Sequence, residues 1–329
     1  MRIVLIGVSH WHVPFYLDPC LALPGVTVVG VSDDDLTRAA PVAAQAGCPA
    51  FADYREMCAQ LRPDFAFALG RHCDMPALGR FLIEARIPFA MEKPCGTSLA
   101  DVRALAAQAR AANAFAAIPF VFRYCGLVDT VREDAAGEAI HYLAFKFVGG
   151  LVERYRQARC DWMLDRSTAG GGPLINLGVH FLDLCRVLLA GARFEVTAAT
   201  MSNAQTGLSI EDHAVVLLQG GGARCVIETG YLYPAPHSVF DMHYSIRTAR
   251  HYFAARDAST LEISDDTRAR HTREMPLINA PLYPTFVADT LRRLEHGDKP
   301  IADLDDMAEA MRLVHDAYAL SPLERPASA

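Results

Sequence analysis

A run of about 18 apolar residues, the length that marks a membrane-crossing helix, is missing from this 329-residue chain. So is any Lys/Arg-rich stretch. Asp and Glu number 38 against 31 Lys and Arg, a formal net charge of -7, and a duplex-binding protein carries a basic footprint, so nucleic acid is not expected as a partner. There is no C-x-x-C pair. The nine cysteines are scattered and odd in number, which suits neither a disulfide framework nor a zinc ribbon. The apolar stretch within Met1–His12 is too short for a secretory signal. These absences predict a soluble cytoplasmic protein with no membrane partner. What is present is ample core material: 52% of the residues are hydrophobic, and the length suits roughly two domains of about 150 residues.

The first third alternates short apolar runs with helical stretches. Ile3–Ile6, Val26–Val31, Phe65–Leu69, Pro88–Met91 and Ala114–Ile118 read as buried strands, separated by alanine-rich helices such as Ala77–Ala85 and Leu99–Ala112. Continuous apolar strands between helices imply a parallel sheet covered on both faces. Ser98 and Asp101 form a capping-box variant ahead of the second helix. The expectation is an α/β protein whose first domain, residues 1–121, is a doubly wound Rossmann sheet. Beyond Phe122-Arg123-Tyr124 a helix is expected. Strand-like stretches follow at His141–Val148, Phe194–Met201, Asp212–Leu218, Ala223–Tyr231 and Phe240–Ile246, several alternating apolar with polar residues. Two helices, Tyr283–His296 and Asp303–Leu320, the latter capped by Asp303, close the chain before a short Pro/Ser tail. Residues 122–329 are therefore expected to form an α+β domain with a large, mostly antiparallel open sheet.

Four places invite chemistry. Gly7-Val8-Ser9-His10-Trp11-His12 stands where a G-x-G-x-x-G dinucleotide turn would follow the first strand. Only the first glycine is kept; Ser9 replaces the second and His12 the third, so an ordinary tight turn is the competing reading. His10-x-His12 is also a possible metal pair, but no third ligand is evident at matching spacing, and no metal is expected. Asp33, ending the second apolar run roughly 20 residues on, is placed to accept hydrogen bonds from a ribose and to repel a 2′-phosphate; its neighbours Asp34 and Asp35 can also cap the next helix. Lys93, in Met91-Glu92-Lys93-Pro94, should emerge at the carboxyl end of a buried strand, where open α/β sheets bind ligands, unless it is a snorkelling surface lysine. Finally, Asn176, His180 and Asp183 follow Gly170-Gly171-Gly172 at i, i+4 and i+7, a spacing that predicts one shared helix face lining a cleft; a satisfied core histidine is the plainer alternative.

In this order the motifs resemble the Gfo/Idh/MocA oxidoreductases over nearly the whole chain. Glu92-Lys93-Pro94 is similar to the family's E-K-P, and Gly170–Asp183 to its G-G-G-x-L-x-[DN]-x-G-x-H-x-x-D. Phe122-Arg123-Tyr124 is similar to the R-[FY] that opens the second domain, Glu211-Asp212 to an E-D before a sheet strand, and Ala317–Ser321 to the A-x-x-x-S of the last helix. The resemblance implies hydride transfer between nicotinamide and a hydroxyl or keto group of a sugar, cyclitol or related polyol. The turn and Asp33 favour NAD over NADP, and the resemblance implies a homodimer or homotetramer built through the second-domain sheet. Lys93 and His180 would be catalytic, and Trp162 and Asn176 would join them around the substrate, with Trp162 bordering the nicotinamide. Cofactor contacts are implied at Gly7, Ser9, His10, Trp11, Asp33, Leu69, Glu92, Lys93 and Arg123. Gly70-Arg71-His72-Cys73-Asp74-Met75 departs from the family's Pro- and His-containing stretch, so the substrate does not follow by analogy. Two alternatives share the scaffold: a hydrolase or epimerase with transient redox, and a ligand-sensing regulator, against which retention of both Lys93 and His180 argues. Pocket walls are expected from Leu151–Arg166 and Tyr231–Ser238.

Overall fold

The computed structural model describes residues 1–234 and 239–323; part of the expected Tyr231–Ser238 wall and most of the Pro/Ser tail lie outside the described residues. The first sheet has six parallel strands: β1 (Arg2–Ile6), β2 (Thr27–Ser32), β3 (Ala50–Phe51), β4 (Phe65–Ala68), β5 (Phe89–Met91) and β6 (Ala116–Ala117). Their order, β3-β2-β1-β4-β5-β6, is that of a Rossmann domain. The apolar runs become central strands because both faces of the sheet are covered: Phe65–Ala68 is wholly buried. The intervening helices are α1 (Val13–Ala22), α2 (Leu36–Ala46), α3 (Tyr54–Leu61), α4 (Met75–Glu84) and α5 (Leu99–Ala112). Side-chain caps fix three of their starts. Asp35 accepts from the Thr37 amide, Asp53 from Arg55 and Ser98 from Asp101.

After α6 (Gly126–Asp134) the chain enters β7 (Ile140–Gly150), then α7 (Glu153–Gln157), α8 (Arg166–Ala169), a π-helical turn over Leu174–Gly178, and α9 (Val179–Leu188). The second sheet is completed by β8 (Phe194–Ser202), β9 (His213–Gly220), β10 (Ala223–Tyr233), β11 (Asp241–Thr248), β12 (Tyr252–Ala255), β13 (Thr260–Ser264) and β14 (Arg270–Glu274). The eight strands run β14-β13-β12-β11-β7-β10-β9-β8, with only β7 and β10 paired in parallel. β3 and β12–β14 were not foreseen; β14 reads Arg-His-Thr-Arg-Glu and offers no apolar pattern. α10 (Tyr283–His296) packs on α1, and α11 (Leu304–Leu320) packs on α5, α9 and β8, so the last two helices tie the first sheet's layer to the second. Asp303 caps α11 in a full capping box with Asp306. Among the described residues no helix is long and apolar enough to cross a membrane.

Candidate functional site

The turn after β1 is built by close approach. Gly7 has φ +77° and donates its amide to the Ser32 carbonyl at 2.8 Å, and a Cβ there would lie 2.4 Å from the Gly70 Cα. Only glycine fits. Asp33, at the end of β2, accepts from the Ser9 amide at 2.7 Å and the Asp35 amide at 3.0 Å. Burial raises its pKa, opposed by those two amides. A cavity of about 470 Å³ opens here, lined by Gly7, Ser9, Asp33, Gly70 and Arg71 among others. Ser32, also in its wall, has a buried hydroxyl with no partner. Arg38 turns away, donating to the carbonyls of Ala158 and Arg159. Leu69 is fully buried, its amide bound to the Ile6 carbonyl at 2.7 Å.

Below the turn lies Glu92. One of its oxygens accepts from His12 Nδ1 and the Tyr16 hydroxyl, both at 2.7 Å, and from the Tyr283 hydroxyl at 3.1 Å. Burial alone would raise its pKa, but the His12 hydrogen bond and the nearby Lys93 charge outweigh burial and hold it ionised. His12 is neutral because burial lowers its pKa; it therefore donates from Nδ1, and its Nε2 has no partner. Glu92 supplies the third group that the His10-x-His12 spacing lacked, with ligand atoms within 4.8 Å of one another. The donor set does not suit a cation, however. His10 Nδ1 already accepts from the His12 amide at 3.1 Å, which leaves the proton on Nε2, and the Glu92 oxygen nearest His12 already holds three donors.

Lys93 is buried at the carboxyl end of β5, as the strand pattern predicts, and is no surface lysine. Its ammonium donates to the Asn176 side-chain oxygen at 2.6 Å and to the Asn176 carbonyl at 2.7 Å. Burial pulls its pKa down to about 8, with Glu92 opposing and Arg154 assisting. The Asn176 amide nitrogen donates to the hydroxyls of Tyr155 at 2.8 Å and Tyr231 at 2.9 Å. His180, buried against the edges of Phe120 and Phe122, has an unpartnered Nδ1. Burial first, then the Lys93 charge, push its pKa well below the ordinary value. It is thus a neutral imidazole with a free ring nitrogen, and the structure does not satisfy it as a core histidine.

The expected shared face of Asn176, His180 and Asp183 is corrected by the π turn. Asn176 lies in that turn and the other two in α9, so the 3.6-residue period does not run through all three. Asn176 faces Lys93, while Asp183 pairs with Arg123 at 2.8 and 2.5 Å. Arg123 is further held by Asp306 and the Ile301 carbonyl, away from the Asp33 cavity. The glycine run has a packing cause. A Cβ on Gly171 would fall 2.0 Å from the Tyr318 hydroxyl, and one on Gly172 1.9 Å from the Glu211 carbonyl oxygen. Glu211 in turn accepts from the amides of Gly172 and Leu174 and from the Tyr318 hydroxyl. Trp162 stands edge-on to His72, 4.9 Å between ring centres, with an unpartnered indole nitrogen.

A second cavity, of about 520 Å³, lies against Trp11 and is walled by Leu151, Arg154, Tyr155, Pro234 and Phe240, among others. Arg154, Tyr155 and Tyr231 were not singled out individually by the sequence; they come from α7 and β10 and carry no local motif.

Comparison with known proteins adds the following. The family model described as "Oxidoreductase family, NAD-binding Rossmann fold" matches residues 1–119, and the GFO/IDH/MocA C-terminal domain model matches residues 130–250. Trans-1,2-dihydrobenzene-1,2-diol dehydrogenase of Oryctolagus cuniculus is 29% identical over 199 residues, 59% of this chain and 58% of that protein. The Sus scrofa protein of the same name is 27% identical over 199 residues, 59% of this chain and 57% of that protein. The chain thus spans less than two thirds of the length of these relatives. Among solved structures, an oxidoreductase from Agrobacterium radiobacter in complex with NAD+, L-tartaric acid and magnesium superposes with a TM-score of 0.85 at 18% identity, covering 97% of this chain and 95% of that one. A levoglucosan dehydrogenase in complex with NADH and levoglucosan superposes with a TM-score of 0.84 at 15% identity, covering 98% of each chain. At these identities the structural likeness is one of fold.

Proposed function

The chain belongs to the Gfo/Idh/MocA oxidoreductase family, and from that premise we propose that it is an NAD-dependent dehydrogenase or reductase acting on a hydroxyl or keto group of a small polyhydroxylated molecule. The observation that carries this is the buried Lys93 ammonium, held by Asn176 and neighboured by a neutral His180. NAD, when bound, accepts a hydride from a carbinol carbon or returns one. The residues of the Asp33 cavity fit its adenosine end: a carboxylate with lone pairs left for a ribose diol, an orphaned Ser32 hydroxyl, and a turn closed so tightly that only glycine serves.

Two of the three Lys93 N–H groups go to Asn176, which leaves one to donate to the reacting oxygen. That contact strengthens as negative charge develops there during oxidation, so it lowers the barrier as well as binding the ground state. His180, kept neutral by burial, takes the hydroxyl proton through a free ring nitrogen and returns it in the reverse direction. Carbinol becomes carbonyl: the C–H pair leaves as hydride and the O–H proton stays on His180. Glu92 binds no substrate in this scheme. Through His12, Tyr16 and Tyr283 it anchors the backbone ahead of Lys93. Asp33 favours NAD over NADP, because a 2′-phosphate would meet a buried carboxylate.

We take residues 1–121 as the dinucleotide domain and residues 122–329 as the substrate and assembly domain. The open face of the second sheet, with Leu217 and Tyr252 exposed, is the face on which a homodimer or homotetramer would form. Unpaired cysteines among the described residues suit a cytoplasmic setting. The test is a screen of sugars, cyclitols and sugar acids with NAD, read by NADH absorbance. Net NADH supports the proposal; turnover without net cofactor change, or binding without turnover, contradicts it.

A further inference from the structure

The second cavity contains a cation with donors to spare. Arg154, in α7, lines it beside Trp11 and Tyr155. Its guanidinium sits over the rings of Tyr155 at 4.7 Å, Tyr231 at 5.2 Å and Trp11 at 6.0 Å. One side-chain hydrogen bond is formed, from Nη2 to the Tyr155 hydroxyl at 2.8 Å. Nε is buried without a partner, and among the described residues no carboxylate lies within ion-pairing distance of Arg154. Glu153, which lines the same cavity, turns to Arg156 and is 56% exposed. Glu92, the nearby buried carboxylate, is already occupied by His12, Tyr16 and Tyr283. Space for the guanidinium is provided by bare backbone, since a Cβ on Gly149 would come within 2.9 Å of Nη1.

Arginine offers a planar fork that matches a carboxylate with two parallel hydrogen bonds. Aromatic faces hold the cation in place without consuming those donors. The fork is also joined to the reacting end of the site. Arg154 donates to the Tyr155 hydroxyl at 2.8 Å, Asn176 donates to the same hydroxyl at 2.8 Å, and Lys93 donates to Asn176 at 2.6 Å. Lys93 does not itself line the cavity of about 520 Å³, whose wall reaches as far as Tyr155; a substrate held by Arg154 must extend past Tyr155 to bring its hydroxyl to Lys93.

We propose that Arg154 receives a carboxylate of the substrate, making the substrate class hydroxy acids, sugar acids included, and not neutral polyols. This rests on the dehydrogenase proposal above. The cofactor's pyrophosphate is the other oxyanion that could reach a cleft arginine. The geometry favours the substrate, because hydrogen bonds through Tyr155 and Asn176 join Arg154 to Lys93, whereas among the described residues none joins it to Gly7, Ser9 or Asp33.

The experiment uses full-length protein saturated with NAD. Hydroxy acids of two to six carbons and their neutral alcohol counterparts are titrated by tryptophan fluorescence, Trp11 and Trp162 being the two tryptophans of the chain, and then assayed for NADH formation. Wild type should bind and oxidise acids at least tenfold better than the matched neutral alcohols. Arg154→Gln should weaken acid binding about 100-fold, abolish the preference for acids over the matched neutral alcohols, and keep NAD affinity within about threefold. Arg154→Lys should recover only part of the loss, which separates a lost fork from a damaged fold. Equal handling of neutral alcohols by wild type, or an acid panel that neither binds nor reacts, overturns the carboxylate assignment. A loss of NAD affinity in Arg154→Gln, with acid binding unchanged, overturns it in favour of the pyrophosphate. Acids that bind through Arg154 without ever yielding NADH leave the carboxylate site standing and sink the dehydrogenase proposal instead.

Discussion

Replacing Asn176 by aspartate puts a carboxylate where an amide oxygen now accepts from Lys93 at 2.6 Å. Burial holds the lysine near a pKa of about 8, and an opposite charge at contact distance raises such a value by roughly 1–3 units. At about 1.4 kcal/mol per unit the ammonium gains roughly 1.4–4 kcal/mol over the free amine. Tyr155 and Tyr231 now accept from the Asn176 amide; their hydroxyls can rotate to donate to the new carboxylate, so the fold need not suffer. The sign follows from the role of each group. Lys93 must carry its proton to donate to the reacting oxygen, so kcat/KM for oxidation falls as pH rises through its pKa. His180 must be unprotonated, so kcat/KM falls as pH drops through a pKa that burial places well below 6.5. In Asn176→Asp the alkaline limb should therefore move from near pH 8 to roughly pH 9–11, while the acidic limb moves up by less, because the new carboxylate only offsets, without a hydrogen bond to His180, the Lys93 charge that depresses the imidazole. Labelling with 15N-lysine checks the assignment directly, since the chain has three lysines, at 93, 146 and 299. An alkaline limb that does not move refutes the coupling to Lys93. An acidic limb that moves further than the alkaline one refutes the assignment of the new charge to Lys93.

Lys93→Ala should lower kcat by about 10²–10³, the worth of one charge-assisted contact strengthened in the transition state, with NAD affinity within a few-fold by titration calorimetry; Lys93→Arg should not rescue. Asp33→Ser should narrow an NAD-over-NADP preference of about 2–4 kcal/mol, measured by calorimetry with both cofactors. Equal affinities in wild type would contradict that preference. Arg123→Met strands the buried Asp183 without its partner and should cost about 3–5 kcal/mol of stability in urea unfolding, with NAD affinity unchanged in the folded fraction. A variant of full stability that has lost NAD would show Arg123 to be a cofactor contact after all.

Much of this was legible because the signals are local. The buried parallel strands announce themselves as unbroken apolar runs, and α10 ends at His296 because Gly297 takes φ +72°. The glycine triplet stands out in the sequence, and its cause is in the fold, where Glu211 and Tyr318 approach its backbone. The outer strands were hidden for an equally physical reason: β14 has no buried face to write an alternating pattern. The common face expected of Asn176, His180 and Asp183 failed because one π-helical turn breaks the period on which that expectation depended. Arg154, Tyr155 and Tyr231 converge from α7 and β10, some 75 residues apart in sequence on the numbering of the chain, and only the folded chain brings them to Asn176.

The central claim is that hydride passes between a carbinol carbon and nicotinamide under the control of Lys93. The most direct measurement takes the best substrate from the acid and alcohol panel, deuterated at its carbinol carbon, and follows the label by mass spectrometry in a single turnover with NAD+. The account predicts one deuterium in the reduced cofactor per carbonyl formed, with Lys93→Ala slowing its appearance by about 10²–10³. Product formed while the cofactor remains unlabelled and oxidised, or labelling at an undiminished rate in Lys93→Ala, would contradict it.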